Sequence, residues 1–230
     1  GIFNINFYAS EIKAITNQLG IAEDLIKLEP TVIGGMYPSH MEDRVLLNWP
    51  EVPPILVDTI LAVEDQDFFN HYGISLKSIS RAFLRNVQAG EVEQGGSTIT
   101  QQLAKSLFFS SEQTIRRKVL EAIASLIIEF RYTKEEILLA YINDVFLAQS
   151  GKRAIHGFGM GAQHFFGTSI QNLSTDQVAL LVGMLKGPSF YNPRRNPNNA
   201  TKRRNLVLRV LNTSNTVSYT HLRAHETRTN

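Results

Sequence analysis

Three carboxylates lie within four positions of one another at Glu64, Asp65 and Asp67, and Phe68 and Phe69 follow them directly. Crowding by like charges and burial beside aromatic rings both raise the pKa of a carboxyl group. A carboxylate with a raised pKa is suited to accept a proton as a general base near neutral pH. A solvated acidic turn without a catalytic role is the alternative interpretation of the same residues.

A second stretch, residues 94–105, joins a pair of glycines to the start of a helix. Glycine permits positive φ and close approach of a ligand, and Thr98 to Gln101 has the S/T-x-x-E/Q form of a capping box. A helix N-terminus favours phosphate because its N–H groups are unpaired, and Lys105 adds a full positive charge. The Walker sequence is absent, so the stretch predicts an anion site without a nucleotide. A capped surface helix is the alternative.

The third candidate is a group of Arg117, Lys118 and Glu121, which have helical spacing. Residues three and four positions apart share one face of a helix, so both cations would approach the carboxylate. Such a group is suited to hold a diphosphate, whereas a surface ladder of salt bridges is the alternative that spacing alone leaves open. The same helix carries an apolar stripe made of Ile115, Val119, Ile123, Ile127 and Phe130.

The elements that must position these groups are mostly helices. Alternation at residues 2–7 predicts a strand, residues 11–44 predict short strands and turns, and the prolines of 50–54 indicate a stiff connector. Helices are predicted at 55–63, at 76–90, from Thr98, from a cap at Ser110–Gln113, from Thr133 to Asn143, from Ser174 to Lys186 and from Asn199 to Leu211, with a glycine-rich loop at 151–167. We therefore predict a mainly α protein with a small β-containing N-terminal segment.

These patterns divide the chain into three segments. Residues 1–52 form an N-terminal segment and connector, residues 53–212 form the helical domain, and residues 213–230 lack a periodic apolar face. We expect the last segment to be foreign sequence or a disordered tail. The chain starts at Gly1 without a signal-peptide pattern, so we interpret it as a piece of a longer protein.

Composition excludes several classes of function. The 230 residues contain no cysteine, which rules out a disulfide framework and a thiolate zinc site, and no H-E-x-x-H pattern occurs. The net charge is only +2, yet residues 177–225 contain basic residues and no acidic one, which favours an anionic partner. Aromatic residues are not interleaved with this basic segment, and no nucleic-acid-binding module matches, so we predict no nucleic acid as partner.

Five blocks together resemble the peptidoglycan glycosyltransferases, glycosyltransferase family 51, of bifunctional class A penicillin-binding proteins. The blocks occur in the family's order at residues 64–74, 95–105, 117–121, 137–147 and 203–208. Residues 28–52 are similar to the connector and the end of the accessory domain that precede the transferase in the penicillin-binding protein 1b group, so residues 1–52 are interpreted as the end of that domain and the connector. Ala148 departs from the glycine that is usual at its position. Ser10 and Lys13 have the S-x-x-K form, but no S-x-N or K-T-G pattern accompanies them, so no transpeptidase is expected in this chain.

The resemblance implies a lysozyme-like helical fold with a membrane-facing flank. It also implies a glycosyl transfer reaction. Such enzymes polymerise lipid II into β-1,4-linked glycan strands with inversion, and undecaprenyl pyrophosphate leaves. The implied partners are lipid II, the lipid-linked growing chain and the cytoplasmic membrane surface. The implied location is the periplasmic face of the bacterial inner membrane, with the anchor outside this chain. The parent protein would carry a transpeptidase domain and bind regulators of cell-wall synthesis.

The resemblance also implies roles for individual residues. Glu64 would be the general base, and Glu121 would orient cations or a divalent ion. Lys105, Arg117 and Lys118 would hold the diphosphate. The other implied substrate-binding residues are Asp65, Phe68, His71, Gly95, Ser97, Thr98, Gln102, Asn143, Lys186 and Arg194. No cofactor is implied as required, and Mg²⁺ or Mn²⁺ at the pyrophosphate is left open. A lysozyme-like lytic enzyme and a non-catalytic module that binds lipid-linked precursor are the alternative functions.

Overall fold

A computed structural model describes residues 4–8, 11–16, 42–75, 77, 80, 96–109, 114–151 and 153–213. The chain separates into two compact units, residues 1–37 and 38–230. The cap predicted at 110–113, Gly95, the tail after Thr213 and nearly all of the helix predicted at 76–90 lie outside the described residues.

The first unit contains a β-hairpin. Strand β1 (Asn4–Tyr8) pairs in antiparallel register with strand β2 (Glu11–Thr16), and the register shifts between Asn6 and Phe7. The alternation at residues 2–7 therefore predicted β1 correctly, because alternate side chains point to opposite faces of a strand.

The second unit is mainly helical, which confirms the predicted fold class. Among the described residues its helices are α1 (Pro54–Glu64), α2 (Ile99–Phe108), α3 (Ile115–Arg131), α4 (Lys134–Asp144), α5 (Gly157–Phe166), α6 (Thr175–Met184) and α7 (Pro197–Thr213). A small sheet has the order β3-β5-β4, formed by Glu42–Arg44, Arg153–His156 and Phe146–Ser150. Strand β3 is parallel to β5, and β4 is antiparallel to it.

The glycine-rich segment 151–167 is not a loop, contrary to the prediction. It forms β5 and α5, and its glycines allow close packing. A Cβ at Gly159 would lie 2.6 Å from the carbonyl oxygen of Val45, and one at Gly161 would clash with the side chain of Leu147. Glycine clusters predict flexibility only where the backbone is exposed, and both of these residues are buried in a helix.

The core lies between α1, α4, α5 and α6. Its fully buried side chains include Leu56, Ile60, Leu138, Ile142, Phe158 and Leu181. Leu47 and Val52 also belong to this core, and the side-chain amide of Asn143 pairs with the backbone N–H and C=O of Leu47. Residues 42–52 thus pack as part of the second unit, although the sequence pattern assigned them to the preceding segment. The predicted domain limits at 52 and 212 stay a prediction.

Helix α3 has its polar face buried and its apolar stripe exposed. Glu121 is 1% exposed and Ser125 is fully buried, whereas Ile115 and Phe130 are 86% and 92% exposed. In the described part of the chain, no helix is both long and apolar enough to cross a membrane. The stripe is therefore a surface feature of this unit.

Candidate active site

Glu64 is the last residue of α1, and the structure places it at the edge of the core. The helix begins with Pro54 at its first position, where proline's missing N–H costs nothing, and buries Leu56 and Ile60. At Asp65 the backbone leaves helical geometry, with φ −157° and ψ 80°. The carboxyl group of Glu64 therefore projects from the end of a helix that is anchored along its length.

Burial raises the pKa of Glu64, and its neighbours moderate that effect. Desolvation is the largest influence and disfavours the charged form. The Gln102 side-chain amide donates to Glu64 Oε2 at 3.0 Å and lowers the pKa, as do the positive charges of Arg203 and Lys186, while Asp65 raises it. The net result is a carboxyl group with a raised pKa that has a fixed hydrogen-bond donor.

Asp65 ties the segment after α1 to the start of α2. Its Oδ2 accepts the backbone N–H of Ile99 at 3.0 Å and lies 2.9 Å from His71 Nε2. His71 Nδ1 accepts the N–H of Gly73 at 3.2 Å, so the neutral ring carries its proton on Nε2 and donates it to Asp65. The helix N-terminus that the sequence predicted as an anion site therefore already holds the carboxylate of Asp65.

The capping box of α2 forms as predicted. Thr98 Oγ1 accepts the N–H of Gln101 at 3.1 Å, and Gln101 Oε1 accepts the N–H of Thr98. The Thr98 hydroxyl also donates to the carbonyl oxygen of Gly73 at 2.6 Å. Thr98 is 1% exposed, so its hydroxyl holds α2 against the segment that follows Glu64.

A cavity of about 360 Å³ lies between α2, α4 and residues 185–188. Gln102, Lys105 and Ser106 line it from α2, and Tyr141 and Asp144 line it from α4. Gln102 thus contacts Glu64 on one side and the cavity on the other, with Lys105 less than one helical turn away. Glu64 does not itself line the cavity, and Gln102 connects this predicted base to the cavity that the predicted diphosphate-binding lysine lines.

The predicted cation group is confirmed as a geometric unit. Arg117 Nη1 lies 3.4 Å from Glu121 Oε2, and Lys118 Nζ donates to Glu121 Oε1. Lys118 also donates to Ser97 Oγ at 2.8 Å, which links α3 to the residues before α2. Arg117 Nε is buried and has no hydrogen-bond partner among the described residues.

The described residues do not fit a metal ion held by protein ligands at Glu121. Both of its carboxylate oxygens accept from cationic side chains, and a divalent ion would have to displace them. No group of three or more His, Cys, Asp or Glu able to hold a metal occurs in the described ranges.

The remaining predicted site residues are more dispersed. Phe68 is fully buried with its ring nearly perpendicular to that of His71 at a centroid distance of 6.0 Å, and Lys134 Nζ lies 4.4 Å from the centroid of the Phe68 ring. Asn143 uses its amide on the backbone of Leu47, and Arg194 donates to the carbonyl oxygen of His164. Contact of these residues with a substrate stays a prediction.

Two residues near Glu64 were absent from the predicted site. Tyr141 is 2% exposed and donates its hydroxyl to Gln102 Oε1 at 3.1 Å. Arg203 donates from Nε to the carbonyl oxygen of Gly183 at 3.3 Å and lowers the pKa of Glu64. Both lie in blocks that resemble the family, and that position was the only signal in the sequence.

Comparison with known proteins identifies similar sequences. The family model described as Transglycosylase matches residues 30–212. Penicillin-binding protein 1B of Vibrio cholerae is 50% identical over 186 residues, which cover 81% of this chain and 24% of that protein. Penicillin-binding protein 1B of Haemophilus influenzae is 48% identical over 203 residues, covering 85% and 26%. Penicillin-binding protein 1B of Escherichia coli K12 is 50% identical over 185 residues, covering 80% and 22%.

The chain spans about a quarter of the length of these curated relatives. A crystal structure of Penicillin-Binding Protein 1A from Haemophilus influenzae matches 80% of this chain and 17% of that chain, with a TM-score of 0.44 and 21% identity. No conclusion about this chain depends on that likeness.

Proposed function

Because the chain belongs to the transglycosylase family, we propose that it is a peptidoglycan glycosyltransferase domain that polymerises lipid II. One observation carries the proposal: the half-buried carboxyl of Glu64, with its raised pKa, receives a hydrogen bond from Gln102, which lines a cavity together with Lys105. A base needs partial ionisation at working pH and must lie within hydrogen-bond reach of the hydroxyl that it deprotonates.

In the proposed reaction Glu64 accepts the proton of the acceptor sugar's 4-hydroxyl. The oxygen attacks C1 of the lipid-linked donor from the face opposite the diphosphate, the bond from C1 to the phosphate oxygen breaks, and the configuration inverts. Undecaprenyl pyrophosphate carries away the electron pair. Lys105, Arg117 and Lys118 would stabilise the charge on this leaving group, since fixed cations act strongly in a site shielded from water.

The Arg117–Lys118–Glu121 group supports this division of roles. Glu121 is fully engaged by two cations, so it is suited to hold them in place and not to accept a proton from a sugar. The proposal includes no cofactor. EDTA should leave polymerisation unchanged if the cationic side chains are sufficient. Loss of activity in EDTA, with restoration by Mg²⁺ or Mn²⁺, would indicate a divalent ion at the pyrophosphate.

We propose that the exposed stripe of α3 rests on the outer surface of the cytoplasmic membrane, at the periplasmic face. Ile115, Ile123, Ile127 and Phe130 are each about half to nine-tenths exposed, and large exposed apolar patches mark membrane or protein contacts. Lipid II enters from that surface, so the stripe would hold the cavity near the substrate. We also propose that the parent protein contains a transpeptidase domain and binds regulators of cell-wall synthesis.

Polymerisation of labelled lipid II in detergent tests the proposed function. Wild type should form glycan polymer, and Glu64→Gln should reduce the rate by about 100-fold or more, because a positioned base contributes about that much. Glu136→Gln is the control, since Glu136 is exposed and glutamine preserves its capping box.

Purified sacculi separate the rival functions. Release of muropeptides without any polymer from lipid II would indicate a lytic enzyme instead. Absence of both activities in a folded protein that still binds lipid II would indicate a binding module. Lys105→Ala should lower polymerisation about 10²-fold by the usual worth of one charge-stabilising group, and full activity in that variant would remove Lys105 from the site.

A further inference from the structure

Glu64 contacts Gln102, and Gln102 in turn contacts a buried tyrosine. Tyr141, on α4, places its hydroxyl 3.1 Å from Gln102 Oε1, while Gln102 Nε2 lies 3.0 Å from Glu64 Oε2. The three side chains come from three helices, α1, α2 and α4, and form one chain of hydrogen bonds. The function proposed above does not use Tyr141.

The direction of these hydrogen bonds follows from their chemistry. An amide has an oxygen that only accepts and a nitrogen that only donates, and an ionised carboxylate only accepts. With the opposite orientation, the oxygen of Gln102 would face the carboxylate oxygen of Glu64, which is repulsive. The hydroxyl proton of Tyr141 finds its acceptor in the amide oxygen of Gln102.

We propose that Tyr141 is a positioning residue for the general base, because its hydroxyl fixes the amide of Gln102 so that the amide nitrogen faces Glu64. This inference rests on the proposed function of Glu64. Tyr141 is 2% exposed, and the amide oxygen therefore has a donor held in one place by the core. A water molecule at the same point would restrict the amide less.

The hydroxyl is a donor at every working pH. Burial, and then the negative charges of Glu64 and Asp65, raise the pKa of Tyr141 well above its ordinary value, so it stays protonated. The charged groups that act on Glu64 itself are Arg203 and Lys186, which favour its ionised form, and Asp65, which opposes it. Tyr141 adds no charge, and its influence passes through the orientation of Gln102.

Donation from Gln102 favours ionised Glu64 and lowers its pKa. Without the hydroxyl, the amide turns more freely and donates less often, so the pKa of Glu64 rises. The base is then protonated over a wider acidic range, and the acid limb of the pH–rate profile moves to higher pH. On that limb, kcat/KM should fall about three- to tenfold, the usual worth of one hydrogen bond.

The test is a titration of the Glu64 carboxyl by ¹³C NMR on protein labelled at glutamate, with the signal assigned by its loss in Glu64→Gln. Tyr141→Phe should titrate at higher pH than wild type. Tyr132→Phe is the matched control because Tyr132 is 55% exposed, and it should titrate like wild type. If Glu64 titrates at the same pH in Tyr141→Phe as in wild type, the proposal is overturned.

A double variant separates positioning from a general structural effect. In a Gln102→Leu background, Tyr141→Phe should cause no further shift, because the route through the amide is gone. A shift that persists there overturns the proposal. If Tyr141→Phe does not fold, replacing Tyr141 by 3-fluorotyrosine keeps its shape and strengthens its hydroxyl as a donor. The Glu64 titration should then move to lower pH, and an unchanged titration overturns the proposal.

The titration needs no substrate, so it is independent of the proposed function. A wild type that does not polymerise lipid II, combined with the expected NMR shift, would refute the glycosyltransferase proposal and leave the positioning of Glu64 intact. Polymerisation by the wild type, combined with an unshifted Glu64 titration in Tyr141→Phe, would refute the positioning role of Tyr141 and leave the glycosyltransferase proposal intact. For an active enzyme, the acid limb of kcat/KM against pH gives the second readout.

Discussion

The two faces of helix α3 differ in a way that reverses the usual pattern of a globular protein. The inner face buries Glu121, Ser125 and Glu129, and each is held by hydrogen bonds or cations. The outer face exposes Ile123 and Ile127, about half of whose surface is open to solvent. Helix α6 has the ordinary arrangement, since it buries its apolar residues.

Helical periodicity therefore identifies the polar and apolar faces of a helix, but it does not indicate which of them packs against the protein. An apolar stripe usually faces the core. In α3 the inner face instead supplies polar partners to α2 and α4, because Glu129 accepts from Thr100 at 2.5 Å and pairs with Lys134 at 2.8 Å.

The largest effect on stability is expected on the inner face. Glu121→Gln should lower the free energy of unfolding by about 3 kcal/mol, because it leaves the largely buried Arg117 without its charge partner. Urea denaturation measures this change. Glu136→Gln serves as the exposed control and should stay near wild type. Equal midpoints for the two variants would mean that the buried ion pair does not stabilise α3.

Ile128 and Ile127 form a matched pair on opposite faces. Ile128 is 8% exposed and Ile127 is 51% exposed. Ile128→Ala should cost about 2–4 kcal/mol because it opens a cavity, and Ile127→Ala should change stability by less than about 1 kcal/mol. Both are measured by the same denaturation. A large cost at Ile127 would show that the outer face is packed in the free protein, contrary to the contrast between the faces.

The outer face should matter for lipid instead of stability. Ile127→Asn should weaken binding to phospholipid vesicles about tenfold, since burial of an isoleucine side chain stabilises association by about 1.5–3 kcal/mol when complete. Sedimentation with vesicles measures it. Leu206→Asn is the control, because Leu206 is a 42% exposed leucine on α7. A similar loss in both variants would argue against a membrane role specific to α3.

The smallest expected change concerns Glu64, a half-buried glutamate at the end of α1. Its pKa is raised in the folded state, so its contribution to stability is present below the unfolded pKa and is lost as pH rises through the folded pKa. Glu64→Gln should therefore raise the midpoint of thermal unfolding at neutral pH, and the gain should shrink in acid. Thermal unfolding at neutral and at acidic pH measures the difference in midpoint between Glu64→Gln and wild type. A difference that grows in acid would contradict a raised pKa of Glu64 in the folded state.

Local hydrogen-bond chemistry made several elements predictable. Thr98, Thr133 and Ser174 begin their helices as the capping pattern indicates, and in each box the third residue after the cap closes the hydrogen bonds. The glycines of 157–161 were wrongly predicted to form a loop, because their role depends on distant residues and not on local hydrogen bonds. Whether a glycine bends a loop or admits a neighbour depends on residues far along the chain, such as Val45.

Sequence patterns predicted most of the described helices, their caps and the residues able to do chemistry, because these depend on neighbours within a few positions. They singled out Glu64 and the convergence of Arg117 and Lys118 on Glu121. The contact of Asp65 with the N-terminus of α2, and the contacts of Gln102 with Tyr141 and Glu64, became visible only in the folded arrangement of the helices. Gln102 is 38 positions from Glu64 and 39 from Tyr141. Contacts over such separations depend on how helices pack, and periodicity within one helix contains no information about its partners.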